Sequence, residues 1–148
     1  MTTLIIIGMI ILLIAVVRAK NSSISRRPNA HLKGPGAYEF DIVGESNYQS
    51  ELEAICGGRK EESAEEYRDA VLVLEDDNPF DNKAVRVDID GVTVGYLSRK
   101  DARSYRKQLS EKGATNYICS CNALIAGGWA RSKQDQGRFG VKLDLPVE

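Results

Sequence analysis

The chain has 148 residues, room for one domain, with 20 basic and 21 acidic residues and a net charge of −1. Five of the basic residues (Arg18, Lys20, Arg26, Arg27 and Lys33) precede Tyr38 with no acid among them, which leaves 15 basic against 21 acidic residues, net −6, from Tyr38 onward. Such a balance excludes nucleic-acid binding through overall charge, because phosphate contacts need a local excess of Lys and Arg.

Residues 2–17 carry no charge. As a helix they would extend about 24 Å, against a hydrocarbon core of about 30 Å, a mismatch that flanking residues and local thinning absorb. No Lys or Arg precedes the run, and Arg18 and Lys20 flank the small-residue position at Ala19. That pattern favours an uncleaved anchor over a signal peptide, and the basic residues behind it place the rest of the chain in the cytoplasm. We therefore expect a single-pass transmembrane helix over residues 1–19 in the inner (cytoplasmic) membrane, a flexible basic linker over 20–37, and a folded domain over 38–148. The three cysteines, an odd number, suit reduced thiols on that side of the membrane. Cys119 and Cys121 lack the spacing of a zinc knuckle and His31 stands alone, so no metal and no cofactor is expected.

Within the domain, residues 38–42 alternate apolar and acidic side chains as a half-buried strand does. A short helix over 49–55 is closed by Gly57-Gly58. Residues 59–68 read as a charged loop with some helical character, and 70–74 as an apolar strand stopped by Glu75-Asp76-Asp77-Asn78-Pro79. Ala84, Val85, Val87 and Ile89 form a strand, Asp90-Gly91 a type I′ turn, and Val92, Val94 and Tyr96 the return strand. Ser98 with Asp101 caps a helix that runs to about Lys112, with Gly113 past its end. Residues 117–126 and 140–145 supply the last strands, joined by a loop holding Gly127-Gly128-Trp129. Six short strands and two helices without a βαβ alternation make the domain mainly β, a small mostly antiparallel barrel or sandwich carrying two helices.

The turn at 78–83 is the most informative segment. Asn78 and Asp81 can accept from nearby amides and Pro79 fixes φ, so turn chemistry accounts for them. It does not account for Phe80, which either tucks into the core or stands out as a platform for a flat ligand. On the helix after Ser98, Arg99, Lys100, Arg103, Arg106 and Lys107 share one broad face, opposite Ala102, Tyr105 and Leu109. That basic face is the best anion-facing surface of an otherwise acidic domain, and Arg99 and Lys100 lie in the first turn, against the helix dipole. Trp129 reads as core or as a second stacking residue. No phosphate loop, nucleophile elbow or zinc-protease helix is present, so no catalytic residues are assigned.

Asn78-Pro79-Phe80-Asp81-Asn82-Lys83-Ala84-Val85-Arg86-Val87, followed by Val94-Gly95-Tyr96-Leu97-Ser98-Arg99, resembles the HIRAN domain. Ile42-Val43-Gly44 and the strand from Leu72 to Glu75 match as well, so the resemblance covers roughly residues 38–145. It implies an OB/SH3-like β-barrel of six strands with two helices, and binding of single-stranded DNA at its 3′ end. It gives Phe80 the base-stacking role, Asp81 the 3′-hydroxyl and Arg99 a phosphate. The chain departs from the family in having Ser46-Asn47, then Tyr48, where an Arg-Tyr pair is usual, and Tyr96 in place of a His. The resulting expectation is a membrane-tethered, non-enzymatic module that binds single-stranded DNA or DNA ends through Phe80, Asp81, Tyr48, Tyr96, Arg99, Lys100 and Arg103. The alternative is a protein-interaction module on the same scaffold. A separate ATPase or nuclease is a further expected partner, since any remodelling or cleavage would have to come from elsewhere.

Overall fold

A computed structural model describes residues 27–146. The expected membrane anchor over residues 1–19 lies outside the described residues, among which no helix is long and apolar enough to cross a membrane. The strands are β1 (Ala30–Leu32), β2 (Phe40–Asp41), β3 (Ala64–Glu75), β4 (Ala84–Ile89), β5 (Val92–Tyr96), β6 (Cys119–Gly127) and β7 (Phe139–Asp144). The helices are α1 (Gln49–Ile55) and α2 (Arg99–Glu111), with a 3-10 turn at Glu45–Asn47.

The strands form one curled, mainly antiparallel sheet in the order β2-β7-β6-β3-β4-β5. β1 joins it in parallel, pairing Ala30–Leu32 with Cys119–Cys121 of β6, directly beyond the point where β7 stops pairing at Asn122. The two ends of the sheet approach each other at one place, where Val43 and Tyr96 exchange N–H···O bonds of 2.8 and 2.9 Å. Alternate residues of the strands face inward: Ala70 and Leu72 from β3, Val85, Val87 and Ile89 from β4, Ala123 and Ile125 from β6, all at or near zero exposure. Leu52 of α1 and the stripe Ala102, Tyr105, Leu109 of α2 pack on this core. Burying one such Leu contributes about 1.5–3 kcal/mol.

Several local expectations hold. The helix over 49–55 forms, and Ser98 Oγ accepts from the Asp101 amide at the start of α2. Asp90 and Gly91 both have positive φ, 51° and 78°, as a type I′ turn requires.

Three segments differ. Residues 59–68 are not a loop with helical character, because β3 starts at Ala64 and its first half is charged and half-exposed. It is a strand because its backbone pairs with β6 from Ala64↔Gly127 onward, a gain that needs no apolar alternation. The strand expected from Tyr38 shrinks to Phe40–Asp41, since Tyr38 has φ 50° and turns its ring edge-on to Tyr67 at 5.6 Å. The segment expected as a flexible linker up to residue 37 is held from Asn29 onward. Besides β1, His31 Nδ1 lies 2.8 Å from Ser120 Oγ, and the buried Asp144 carboxylate accepts from the amides of Gly36 (2.9 and 3.0 Å) and Ala37 (3.2 Å).

Candidate nucleic-acid interface

The β3–β4 turn consumes its own polar groups. Asn78 Oδ1 accepts from the amides of Phe80 (2.9 Å) and Asp81 (3.2 Å), and Asn78 Nδ2 donates to Glu75 Oε1 (3.1 Å). Asp81 Oδ1 accepts from the Lys83 amide at 3.0 Å, and the Asp81 carbonyl accepts from the Ala84 amide at 3.0 Å. With the backbone held from both sides, the Phe80 ring projects away from the core and is 89% exposed. The alternative left open by residue type is thereby decided in favour of exposure.

The basic face of α2 holds this turn against the helix. Arg103 donates to both Asp81 oxygens at 3.1 Å, and Arg99 Nε lies 4.0 Å from Asp81 Oδ2. Arg106 reaches the carbonyls of Lys83 (2.8 Å) and Ala84 (2.9 Å) and the Asp76 carboxylate (2.6 Å). The Arg103 hydrogen bonds, followed by the Lys83 amide, hold the Asp81 carboxyl below the usual carboxylate range. Much of the positive charge that the sequence presents as an anion-facing stripe is therefore spent on the protein's own turn. Arg99 remains 75% exposed.

Behind the turn, on the outer face of β3, β4 and β5, a polar network supports it. Glu75 Oε2 accepts from Arg86 Nη1 at 3.0 Å, and Arg86 makes a two-pronged pair with the buried Asp88 at 2.9 and 2.9 Å. Thr93 Oγ1 donates to Asp88 Oδ1 at 3.0 Å. Burial, then the charge of nearby Glu75, raises the Tyr96 pKa, with Tyr48 a further neighbour. Phe80, Asp81, Arg99 and Arg103 thus form one group, and Tyr48 and Tyr96 a second, joined to it through Glu75 and Asn78. Lys100 belongs to neither. It lines a different groove, on the flank of α2 that faces Leu32, Phe40 and Leu145.

Glu75, Arg86 and Asp88 are the site residues that sequence reasoning passed over. The available signal was the charged alternation Arg86-Val87-Asp88 inside an otherwise apolar strand. Trp129 is half-buried in the β6–β7 loop, its indole N–H donating to Asp135 (3.1 Å), with the Arg131 guanidinium 5.8 Å from the ring. Gly137 packs so closely on that ring that a Cβ there would fall 2.3 Å from it.

No family model and no curated protein matches the chain. A crystal structure of a protein from Lactobacillus plantarum, a structural genomics target, is similar to it over 71% of this chain and 90% of that one, at 17% identity and a TM-score of 0.37.

Proposed function

We propose that the domain is a nucleic-acid-binding module for single strands or strand ends, without chemistry of its own, held at the cytoplasmic face of the membrane by residues 2–17. The observation that carries this reading is Phe80, an aromatic ring exposed at the tip of a turn that is fastened on both sides. Stacking a base on such a ring contributes about 1–3 kcal/mol and tolerates any sequence. Arg99, 4.0 Å from the carboxylate of the next residue, Asp81, and largely exposed, supplies a guanidinium for a phosphate.

The HIRAN resemblance, with its OB/SH3-like barrel, fits this reading, and the curled sheet joined at Val43 and Tyr96 is in keeping with it. Asp81 suits a sugar hydroxyl for a specific reason. Its Oδ1 already accepts from two donors, whereas Oδ2 accepts one hydrogen bond, from Arg103. One acceptor position on Oδ2 is left for a ligand.

A protein-interaction module is the second reading. The groove beside Lys100 supports it, since Leu32, Phe40, Leu109 and Leu145 give it an apolar floor. A titration of the full-length protein with labelled single strands carrying free or blocked 3′ ends, and with duplex, separates the two. The nucleic-acid reading expects single strands to bind with affinity that falls steeply as salt rises. Absence of binding at low salt would sink it.

A further inference from the structure

A groove of about 460 Å³ lies between α2 and the β3–β4 turn, and four cationic side chains line it: Lys83, Arg103, Arg106 and Lys107. Leu74 and Leu109 form its apolar part, and no carboxylate is among its lining residues. The groove is tied to the Phe80 turn through two of its lining residues. Lys83 follows Phe80 by three positions, and Arg103 is held by Asp81, the next residue after Phe80.

The ion pairs at the rim leave donors available. Arg103 uses three N–H groups, two on Asp81 and one on the Arg99 carbonyl, and Arg106 likewise uses three, on Asp76, Lys83 and Ala84. A guanidinium has five, so two on each have no partner among the described residues. The same bonds fix the guanidinium planes, so a ligand need not order them. Lys83 is exposed and makes no ion pair among the described residues, and Lys107 has only Glu111 at 3.8 Å, in a pair whose two side chains are each more than half exposed. A pair so exposed is worth little and yields readily to a competing anion. Arg103 and Lys107 are four residues apart, about 6 Å along the helix, comparable with the step between phosphates of an extended single strand.

We propose that this groove is a second phosphate subsite, which carries the backbone of a bound single strand away from Phe80 along α2, with its sugars against Leu74 and Leu109. The proposal rests on the nucleic-acid reading above and extends it from one nucleotide to a path of several. It also gives a role to the side chains of Lys83 and Lys107, which take no part in fastening the turn.

The test uses labelled oligothymidylates of two and eight nucleotides with the full-length protein in non-ionic detergent, comparing wild type with a Lys83→Ala/Lys107→Ala double variant. Both lysines are exposed, so the urea midpoint of the double variant should match wild type. Wild type is expected to bind the longer strand at least tenfold more tightly. In the double variant that ratio should fall to the few-fold set by the number of binding registers. The slope of log affinity against log salt for the longer strand should drop by about 1.4, roughly 0.7 for each lost contact. If wild type binds both strands and the double variant keeps both the ratio and the slope, the groove is not a subsite, while the Phe80 reading stands. If wild type binds neither strand at low salt, the nucleic-acid reading fails and this proposal with it.

Discussion

Arg103 grips Asp81 with both terminal nitrogens, Nη1 on Oδ2 and Nη2 on Oδ1, each at 3.1 Å. The two residues are separated by 22 positions, and their contact fastens the β3–β4 turn to α2. With Arg106 on the carbonyls of Lys83 and Ala84, it makes the turn a rigid mount for Phe80. An exposed aromatic on a mobile loop would lose much of its stacking energy to ordering; on a fixed turn it loses little.

Phe80→Ala should separate binding from folding. The ring is 89% exposed, so its loss is expected to change stability by less than about 0.5 kcal/mol. Affinity for a labelled single strand should fall roughly tenfold, as for one lost stacking contact. A urea titration and an anisotropy titration on the same preparation check both halves. Lowered stability with unchanged affinity would mean that Phe80 serves the fold.

Asp81→Asn tests the clamp through pH. The Arg103 hydrogen bonds, followed by the Lys83 amide, depress the Asp81 pKa. A carboxylate with a depressed folded pKa stabilises the native state above its unfolded pKa, about 3.9, and that contribution is lost as pH falls through the folded value. The variant should therefore have a lower urea midpoint than wild type at pH 7, by a margin that is constant down to about pH 4 and shrinks only below it. A margin that closes between pH 7 and pH 5 would assign the effect to a different group.

Gly95→Ala should damage the joint between the sheet ends. A Cβ at Gly95 would fall 2.6 Å from the Val43 carbonyl oxygen and 2.8 Å from Ile42 Cδ1. That carbonyl accepts from the Tyr96 amide at 2.9 Å, so it cannot retreat without losing the bond. Overpacking of this kind costs about 1–3 kcal/mol. Gly140→Ala is the control, because its Cβ would meet nothing within 4 Å. Chemical denaturation should rank Gly95→Ala well below wild type and place Gly140→Ala at or slightly above it.

The cysteines should be silent in the folded protein. Cys56, Cys119 and Cys121 are all free and buried. Burial first, and then the Asp144 carboxylate, pushes the Cys121 thiol up to about 12, so it holds almost no thiolate at pH 8. A disulfide reagent that reports released thiolate should detect no fast-reacting thiol in the native protein and three after unfolding in urea. Rapid native labelling of Cys121 would contradict its placement in the core.

Local chemistry made much of this fold legible in the amino-acid sequence. Asp90-Gly91 demanded positive φ at two adjacent positions, Ser98 with Asp101 announced a helix start, and Val85, Val87 and Ile89 alternated as a buried strand must. Each of these signals acts over a few residues, so a single stretch of chain contains the whole cause. β1 and the first half of β3 had no such signal. Ala30–Leu32 is a strand because Cys119–Cys121 offers free backbone groups some 89 positions later, and Ala64–Asp69 because Asn122–Gly127 does.

The same division runs through the candidate site. The sequence alone determined its parts: an aromatic within a polar turn, a following Asp, and a helix with Arg at positions 99, 103 and 106. Tertiary structure decided how they are used. It exposed Phe80, spent Arg103 and Arg106 on Asp81 and Asp76, and turned Lys100 toward another groove. The reason is physical. Composition and period show which charges share a helix face, but whether a charge is free or paired depends on what the folded chain brings within about 4 Å of it.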